Sequence, residues 1–389
     1  MPDFQHQDFK IIDPDFDSPI VDLIIDLNHL RKKQVNVSEQ PQIFFQLKSI
    51  FHMLESVGSA RIEGNNTTVA EYVETKIEDR EYVDEQTQEI RNIEAAMDYV
   101  EDNIEEYPIN RAFISELHKI IVQKLTPPPD GEGDKNPGTY REHPVKIEGG
   151  DHTPPPGKHL IDEYMEDLFS KINSDAKPKY DLIKIALAHH RFMWIHPFGN
   201  GNGRTGRLLT YAMLVKAGFN VKKGRILNPT AVFCFDRDEY YEKLSKADTG
   251  TKEGLEAWCN YVLEGLKTEI DKVDRLLDYE YLKEQILIPS LTYSHKKKYI
   301  DNTDLKILRK AIDRQVIQNK DLQEVFPDKV PSAISRMIRR LRENKMLDTE
   351  PGSSRKYHIS VTDNFLIRGI INKLDEEGFI PSQEEKQRR

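Results

Sequence analysis

The sequence predicts a mainly α-helical protein with one small β-hairpin segment and a distinct C-terminal unit, on three observations. Apolar residues recur at three- and four-residue steps, as in Ile43, Leu47, Ile50, Phe51, Leu54 and Val57, the spacing of a buried helix face. Strand-like residues between turn signals occur only at 138–156 and in two short runs after residue 346. From about Lys296 the chain changes to short, charged helical segments.

Residues 1–40 read as an irregular arm followed by a short helix, Val21 to Lys32. Pro41 opens the stronger pattern, and Gly64-Asn65-Asn66 stops that helix at about Glu63. Helices are next expected over Glu89 to Glu105 and Arg111 to Leu125, before Pro127-Pro128-Pro129-Asp130-Gly131 breaks the chain. Thr139-Tyr140-Arg141 and Val145-Lys146-Ile147 are expected as short strands about a Glu148-Gly149-Gly150-Asp151 turn, ended by Pro154-Pro155-Pro156. Helical pattern resumes over His159 to Ile172 and Tyr180 to Ile195, then from Leu208 to Val215 with Gly218 as its stop. Two further helices cover Arg237 to Lys246 and Leu255 to Leu276. Asp304 to Asp313, Asn319 to Val325 and Ser332 to Asn344 are three short helices. Leu347-Asp348 and Tyr357-His358-Ile359 flank Pro351-Gly352-Ser353-Ser354 like a two-stranded wing. The expected division is a helical region over 1–110, a core over 111–276, a C-terminal domain over 277–376 and a disordered tail over 377–389.

A chain of 389 residues can bury a substantial core, and its net charge of −10 argues against a protein that coats nucleic acid. Residues 71–106 carry 14 acidic and 3 basic side chains, which reads as a solvated helical face or connection. Cys234 and Cys259 are the only cysteines, too few for a disulfide framework and in keeping with a reducing cytoplasm. With no apolar run of membrane-spanning length and no basic-then-apolar leader, a cytoplasmic protein without membrane contact is expected.

The chemistry concentrates in His196-Pro197-Phe198-Gly199-Asn200-Gly201-Asn202-Gly203-Arg204-Thr205-Gly206-Arg207. Glycines at 201 and 203 let the backbone bend and approach a ligand. Free amides at a turn and helix start bind anions. Arg204 and Arg207, three apart, share a helix face that can clamp further negative oxygens, and His196 brings a titratable imidazole. That set suits phosphoryl or nucleotidyl transfer.

This string resembles the signature of the Fic family, His-x-Phe-x-Asp/Glu-Gly-Asn-Gly-Arg-x-x-Arg, with one departure: Asn200 stands where the family usually carries its magnesium-binding carboxylate. The resemblance implies a Fic-type helical bundle with a small β-hairpin flap. It also implies transfer of AMP from ATP to a Ser, Thr or Tyr hydroxyl of a target protein, with release of pyrophosphate. His196 would take the hydroxyl proton, an assignment that an imidazole titrating near neutrality suits. Gly201, Asn202, Gly203, Arg204, Thr205, Gly206 and Arg207 would hold ATP, with the two arginines on its β- and γ-phosphates. Phe198 would anchor the loop. Asn200 would be the metal ligand, and its uncharged amide implies a weaker hold on Mg2+ or slower turnover than a carboxylate gives.

Ser59-Ala60-Arg61-Ile62-Glu63-Gly64-Asn65 is similar to the Ser/Thr-x-x-x-Glu-Gly/Asn inhibitory motif of many Fic proteins. Ser59 and Glu63 are four apart and share a helix face. The resemblance implies that Glu63 pairs with Arg207, takes the place of the γ-phosphate and holds ATP unproductively; positioning a water for AMP removal is a further implied role. Residues 138–156 resemble the family's flap, which pairs with a target loop through main-chain hydrogen bonds. Arg141 matches a flap position, and Val145, Lys146, Ile147 and Glu148 line its nucleotide side. Asp238-Glu239-Tyr240-Tyr241 resembles a segment covering adenine and ribose, and Asp248 falls where relatives often have Asn; the two tyrosines read equally well as core or interface residues. His143, His152, His159, His189 and His190 read as structural, since adjacent histidines point to different helix faces.

The pattern after Lys296 resembles a winged helix-turn-helix domain. Arg336, Arg339, Arg340, Arg342 and Lys345 stand against Glu343 alone within 331–345. On a third helix they would meet DNA phosphates in the major groove, or else form a basic face for protein packing. Two functional classes stay open: an autoinhibited protein adenylyltransferase, and a DNA-binding regulator whose Fic core senses nucleotide with little catalysis. The implied partners are a target protein at the flap, a second copy of the chain, and DNA.

Overall fold

The computed structural model describes residues 4–32, 41–78, 80–147, 152–174, 177–219 and 227–380. The chain opens with helices α1 (Pro19–Lys32), α2 (Pro41–Ile62), α3 (Val69–Ile77), α4 (Glu85–Asn103) and α5 (Arg111–Val122). There follow α6 (Lys158–Ile172), α7 (Asp181–Ile195), α8 (Asn202–Lys216), α9 (Thr230–Phe235), α10 (Arg237–Ala247) and α11 (Lys252–Asp274). Then come α12 (Tyr279–Tyr281), a π-helical stretch Leu282–Leu287, α13 (Ile288–Lys296), α14 (Asn302–Arg314) and α15 (Asn319–Val325). The last elements are α16 (Pro331–Glu343), β1 (Leu347–Thr349), β2 (Tyr357–Ile359) and α17 (Leu366–Glu376). The protein is mainly helical, and among the described residues its one sheet pairs β1 and β2 antiparallel, with Leu347 opposite Ile359. Among the described residues no helix is long and apolar enough to cross a membrane.

Two compact units divide the chain: one takes residues 1–34, 52–67 and 83–271, the other 35–51, 68–82 and 272–389. These limits differ from the expected boundaries at 110 and 276, because the second unit recruits the first half of α2 together with α3. Its links are specific. Gln46 on α2 bonds the backbone of Ile359 and Val361, and Arg368 on α17 pairs with Glu74 on α3 through a bond of 2.7 Å and a second, shorter one. In the same unit α14, α15 and α16 lie in sequence with β1–β2, and Ile317 bridges to Tyr357. The tail expected to be disordered after Glu376 starts in order: Phe379 is buried, with the Arg275 guanidinium 5.1 Å from its ring. One aromatic anchor outweighs the polar composition around it; residues 381–389 lie outside the described residues.

In the first unit the core is built on α7 and α8. Every residue of α8 from Asn202 to Val215 is buried, as is every residue of α7 from Leu182 to Ile195 except Met193. Helices buried all round belong in the middle of a fold, and α4, α5 and α6 pack about the pair. Their polar side chains therefore need internal partners. His189 lies between the hydroxyls of Thr210 (2.8 Å) and Tyr240 (2.9 Å), while His190 turns to the Asp248 carboxylate (2.9 Å). The Trp258 indole N–H donates to the Ala186 carbonyl at 2.7 Å.

The segment Thr139 to Ile147, expected to supply strands, forms no ladder among the described residues. The Arg141 N–H donates instead to the Pro197 carbonyl at 2.8 Å, and Pro144 and the 154–156 prolines have no N–H to give. The Glu148–Asp151 turn lies outside the described residues.

Trp258→Ala should destabilise the protein by about 3–5 kcal/mol, seen as a lower urea midpoint. Trp258→Phe should cost less, because it keeps most of the ring and loses the indole bond of about 1 kcal/mol.

Candidate active site

Helix α7 ends at His196, whose backbone is left-handed (φ 51°, ψ 61°). A non-glycine residue there costs about 1–2 kcal/mol and persists only where its surroundings hold it. Arg141 does so. Its Nε donates to the His196 carbonyl (2.8 Å), one terminal nitrogen to His143 (2.9 Å), and the other to Pro155 (2.8 Å) and Ile195 (3.3 Å). A cation on the last carbonyls of α7 also meets the negative end of the helix dipole. Burial lowers the Arg141 pKa to about 10, which leaves it charged at neutral pH.

The loop from His196 to α8 is braced on its far side. His118 on α5 stacks on Phe198 at 3.7 Å between ring centres and 6° between planes. The Gly138 N–H donates to His118 Nδ1 (2.8 Å), so Nε2 carries the proton and donates to the Asn200 carbonyl (3.0 Å). Burial pushes the His118 pKa well below its ordinary value, matching this neutral form. Asp134 accepts the Asn200 N–H (2.9 Å). Asn202 grips both the N–H and the carbonyl of Phe198 at 2.9 Å, and the Thr205 hydroxyl donates to the Gly201 carbonyl (2.8 Å). The side chains of Asn202 and Thr205 thus shape the loop. Gly201 has φ +74°, a conformation other residues avoid. Gly206 lies against Met193 and Phe192, at the α7–α8 contact.

The His196 ring is neutral at pH 7: burial first, then the charge of Arg141, lowers its pKa to about 4. Against both effects, a hydrogen bond with the Met193 backbone raises the ring's pKa. A neutral imidazole is a proton acceptor in waiting.

The end of α2 meets the start of α8. Arg207 donates from Nε to the Ser59 hydroxyl (2.8 Å), and from a terminal nitrogen to the Ser59 carbonyl (3.0 Å) and to Glu63 Oε1 (2.6 Å). A Cβ at Gly203 would run into that same Glu63 oxygen, so the carboxylate lies on the first turn of α8, where an anion is favoured. Burial would raise the Glu63 pKa, but the charges of Arg207 and Arg204 and the Arg207 hydrogen bond hold it below its ordinary value. The carboxylate stays ionised.

Arg204 is 0% exposed and engaged: it donates to Glu89 Oε1 (2.7 Å), to the Glu132 carbonyl (2.8 Å) and to Glu132 Oε2 (3.3 Å). Glu89 in turn accepts from Asn65 just past α2 (2.8 Å). Asn200 Oδ1 accepts the Gly201 N–H (2.8 Å), and its Nδ2 donates to Glu132 Oε2 (3.3 Å).

Other expected residues have partners of their own, and Tyr240 among them lies within electrostatic reach of Arg207 and Glu63. Tyr240 is fully buried, with its hydroxyl on His189. Tyr241 is 38% exposed with Arg237 over its ring, and Asp248 is held by His190. Val145 and Ile147 are half-buried and Lys146 exposed; Glu148 lies outside the described residues. Sequence reasoning missed His118, Glu89, Glu132 and Asp134. The last two had a signal, the acid–glycine alternation Asp130-Gly131-Glu132-Gly133-Asp134 after a proline run. His118 had none, being a single polar residue on an otherwise apolar helix face, and Glu89 is one acid among many on its helix.

Residues 108–214 match the Fic/DOC family. This part of the chain is similar to a Fic domain. The chain is 32% identical over 207 residues to protein adenylyltransferase Fic of Drosophila willistoni, covering 51% of this chain and 37% of that protein. The corresponding Aedes aegypti protein is 32% identical over 209 residues, 52% of this chain and 37% of its own length. The chain thus spans little more than a third of these curated relatives. Among solved structures, a Fic family protein from Desulfovibrio desulfuricans G20 is similar with TM-score 0.55 and 19% identity, covering 91% of this chain and 98% of that one. Fic-1 (residues 134–508) from C. elegans is similar with TM-score 0.52 and 20% identity, over 65% of this chain and 71% of that one. At these identities the likeness is one of fold.

The buried histidines around the Fic loop set a pH dependence. The pKa of His196 is lowered to about 4 and that of His189 to about 3, both chiefly by burial, and His118 is lowered too. In the unfolded chain all three protonate near 6.5, so below that pH the unfolded state binds more protons and stability falls. Glu55, raised to about 7 by burial, and Glu89, also raised, act in the opposite sense. His152 is lowered as well, again chiefly by burial, so four groups outweigh two. The urea midpoint should fall steadily from pH 7 to pH 5, and a flat or rising midpoint would contradict the assignment.

Proposed function

We propose that this protein is an autoinhibited adenylyltransferase that moves AMP from ATP to a Ser, Thr or Tyr hydroxyl of a target protein. The observation that carries the reading is a neutral His196 at the hinge before an amide-lined helix start on which Glu63 rests. In the reaction the hydroxyl proton passes to His196 as the oxygen bonds to the α-phosphorus. The bond from that phosphorus to the bridging oxygen breaks, and pyrophosphate leaves. Amides at Gly201 and Gly203 meet the phosphate charge, and Arg207 takes the γ-phosphate once Glu63 withdraws. Arg204 acts through its grip on the 132 loop and on Glu89. A target segment would lie along residues 139–147, where Arg141 fixes the backbone next to His196. Glu63, ionised beside the same site, is our candidate for activating a water in AMP removal.

Magnesium, when bound, would offset phosphate charge and orient the leaving pyrophosphate. Among the described residues no cluster of three His, Cys, Asp or Glu could hold a metal; magnesium ordinarily takes one or two carboxylates with phosphate oxygens and water. Asn200 would be its ligand in the loop.

Glu63→Gly should increase AMP incorporation from labelled ATP, including into the protein itself. His196→Ala in that background should lower it by about 10²–10⁴-fold. Intact mass spectrometry reads both, and equal adducts in all three proteins would refute the enzyme.

A second reading concerns the other unit, which we take as a winged helix-turn-helix that binds DNA. Arg336 and Arg339 are exposed on α16, and Arg355 and Lys356 are exposed between β1 and β2. Arg340 is instead tied to Asp301 and Asp304. In the full chain, Arg336→Ala with Arg339→Ala should weaken duplex binding and reduce the slope of log K against log salt by about 2. A wild-type chain that leaves duplex DNA unshifted at low salt rules this reading out.

A further inference from the structure

We infer that Glu132 supplies the negative oxygen for a divalent cation that Asn200 by itself lacks. The inference rests on the nucleotide-dependent reading above and adds a residue to it. The loop Asp130-Gly131-Glu132-Gly133-Asp134 is hooked to the core through both polar groups of the peptide bond after Glu132: the Gly133 N–H donates to the Thr126 carbonyl (2.8 Å), and the Glu132 carbonyl accepts from Arg204 (2.8 Å). The backbone is therefore fixed, while the Glu132 side chain is 45% exposed and loosely held, its two contacts both 3.3 Å long. One of those contacts is the Asn200 amide.

The neighbouring carboxylates are not available in the same way. Asp134 is spent on the backbone N–H groups of Asn200 (2.9 Å) and Asn136 (2.7 Å) and lies 3.7 Å from His118. Glu89 is buried on Arg204 and Asn65. The Arg204 charge, which would otherwise repel a cation from Glu132, is already met by Glu89 at 2.7 Å.

Magnesium prefers one or two carboxylates together with phosphate oxygens and water. A carboxylate at position 200 would repel Glu132 at this distance; an amide holds it there by a hydrogen bond. The charge has moved from the signature loop to the adjoining one.

The test uses the full chain carrying Glu63→Gly, saturating ADP, and Mn2+ followed by electron paramagnetic resonance. Glu132→Gln should weaken Mn2+ in the ternary complex by about tenfold or more, with metal-free ADP affinity and the melting temperature unchanged. Adding Asn200→Asp to Glu132→Gln should restore Mn2+ affinity, which a merely structural role for Glu132 would not produce. ADP binding with Mn2+ affinity equal in Glu132→Gln and its parent overturns the role of Glu132 alone, as does failure of the Asn200→Asp rescue. No ADP binding by the parent, with or without metal, overturns the nucleotide reading and this inference with it.

Discussion

Taking a guanidinium out of water costs several kcal/mol unless its N–H groups find acceptors, and Arg141 meets that demand with backbone carbonyls alone. Its partners are His143, Pro155, Ile195 and His196, drawn from the end of α7 and from both ends of the 143–155 segment. The same contacts hold His196 in its left-handed conformation and keep the segment beside it. Carbonyl acceptors, unlike carboxylates, leave the imidazole next to a net positive charge. That charge and burial together keep the ring deprotonated. One side chain thus fixes the geometry at this position and adds to what burial does to the ring's proton affinity.

On the other face of the loop the signs reverse. Glu63, Glu89 and Glu132 come from three separate segments to two arginines on α8. Arg207 is buried against Glu63, and removing one partner of such a pair costs about 3–5 kcal/mol. When Glu63 leaves, Arg207 keeps only the Ser59 oxygens and its charge is open to another anion. On the proposed function that anion is the γ-phosphate, so nucleotide binding and release of α2 are linked by one guanidinium. Asn65, two residues beyond Glu63, is fastened to Glu89, which connects the same helix end to Arg204.

Most of the helices were legible because their apolar faces recur with the helical period; α2, α7, α15 and the β1–β2 pair follow the expected limits within a few residues. What was illegible shares a cause. Helices α3 and α17 are short and pair with each other across the sequence, so local pattern carries little of their signal. Residues 139–147 have strand composition, yet the carbonyl of Pro197 takes the hydrogen bond that a strand partner would have used. Phe379 orders the first residues of a tail whose composition is otherwise polar.

In the site, the order of residues by itself determined the candidate string. Histidine, glycines, arginines and the Ser59–Glu63 pair are contiguous or one helical turn apart, and such spacing survives any tertiary arrangement. The tertiary structure decided which groups are free to act. It occupied Arg204 with Glu89, buried Tyr240 under His189, and brought His118, Glu132 and Asp134 to the loop from 66 or more residues away. Burial and ion pairing depend on what packs against a side chain. No linear pattern records that, and so the chemistry could be read along the chain while its control could not.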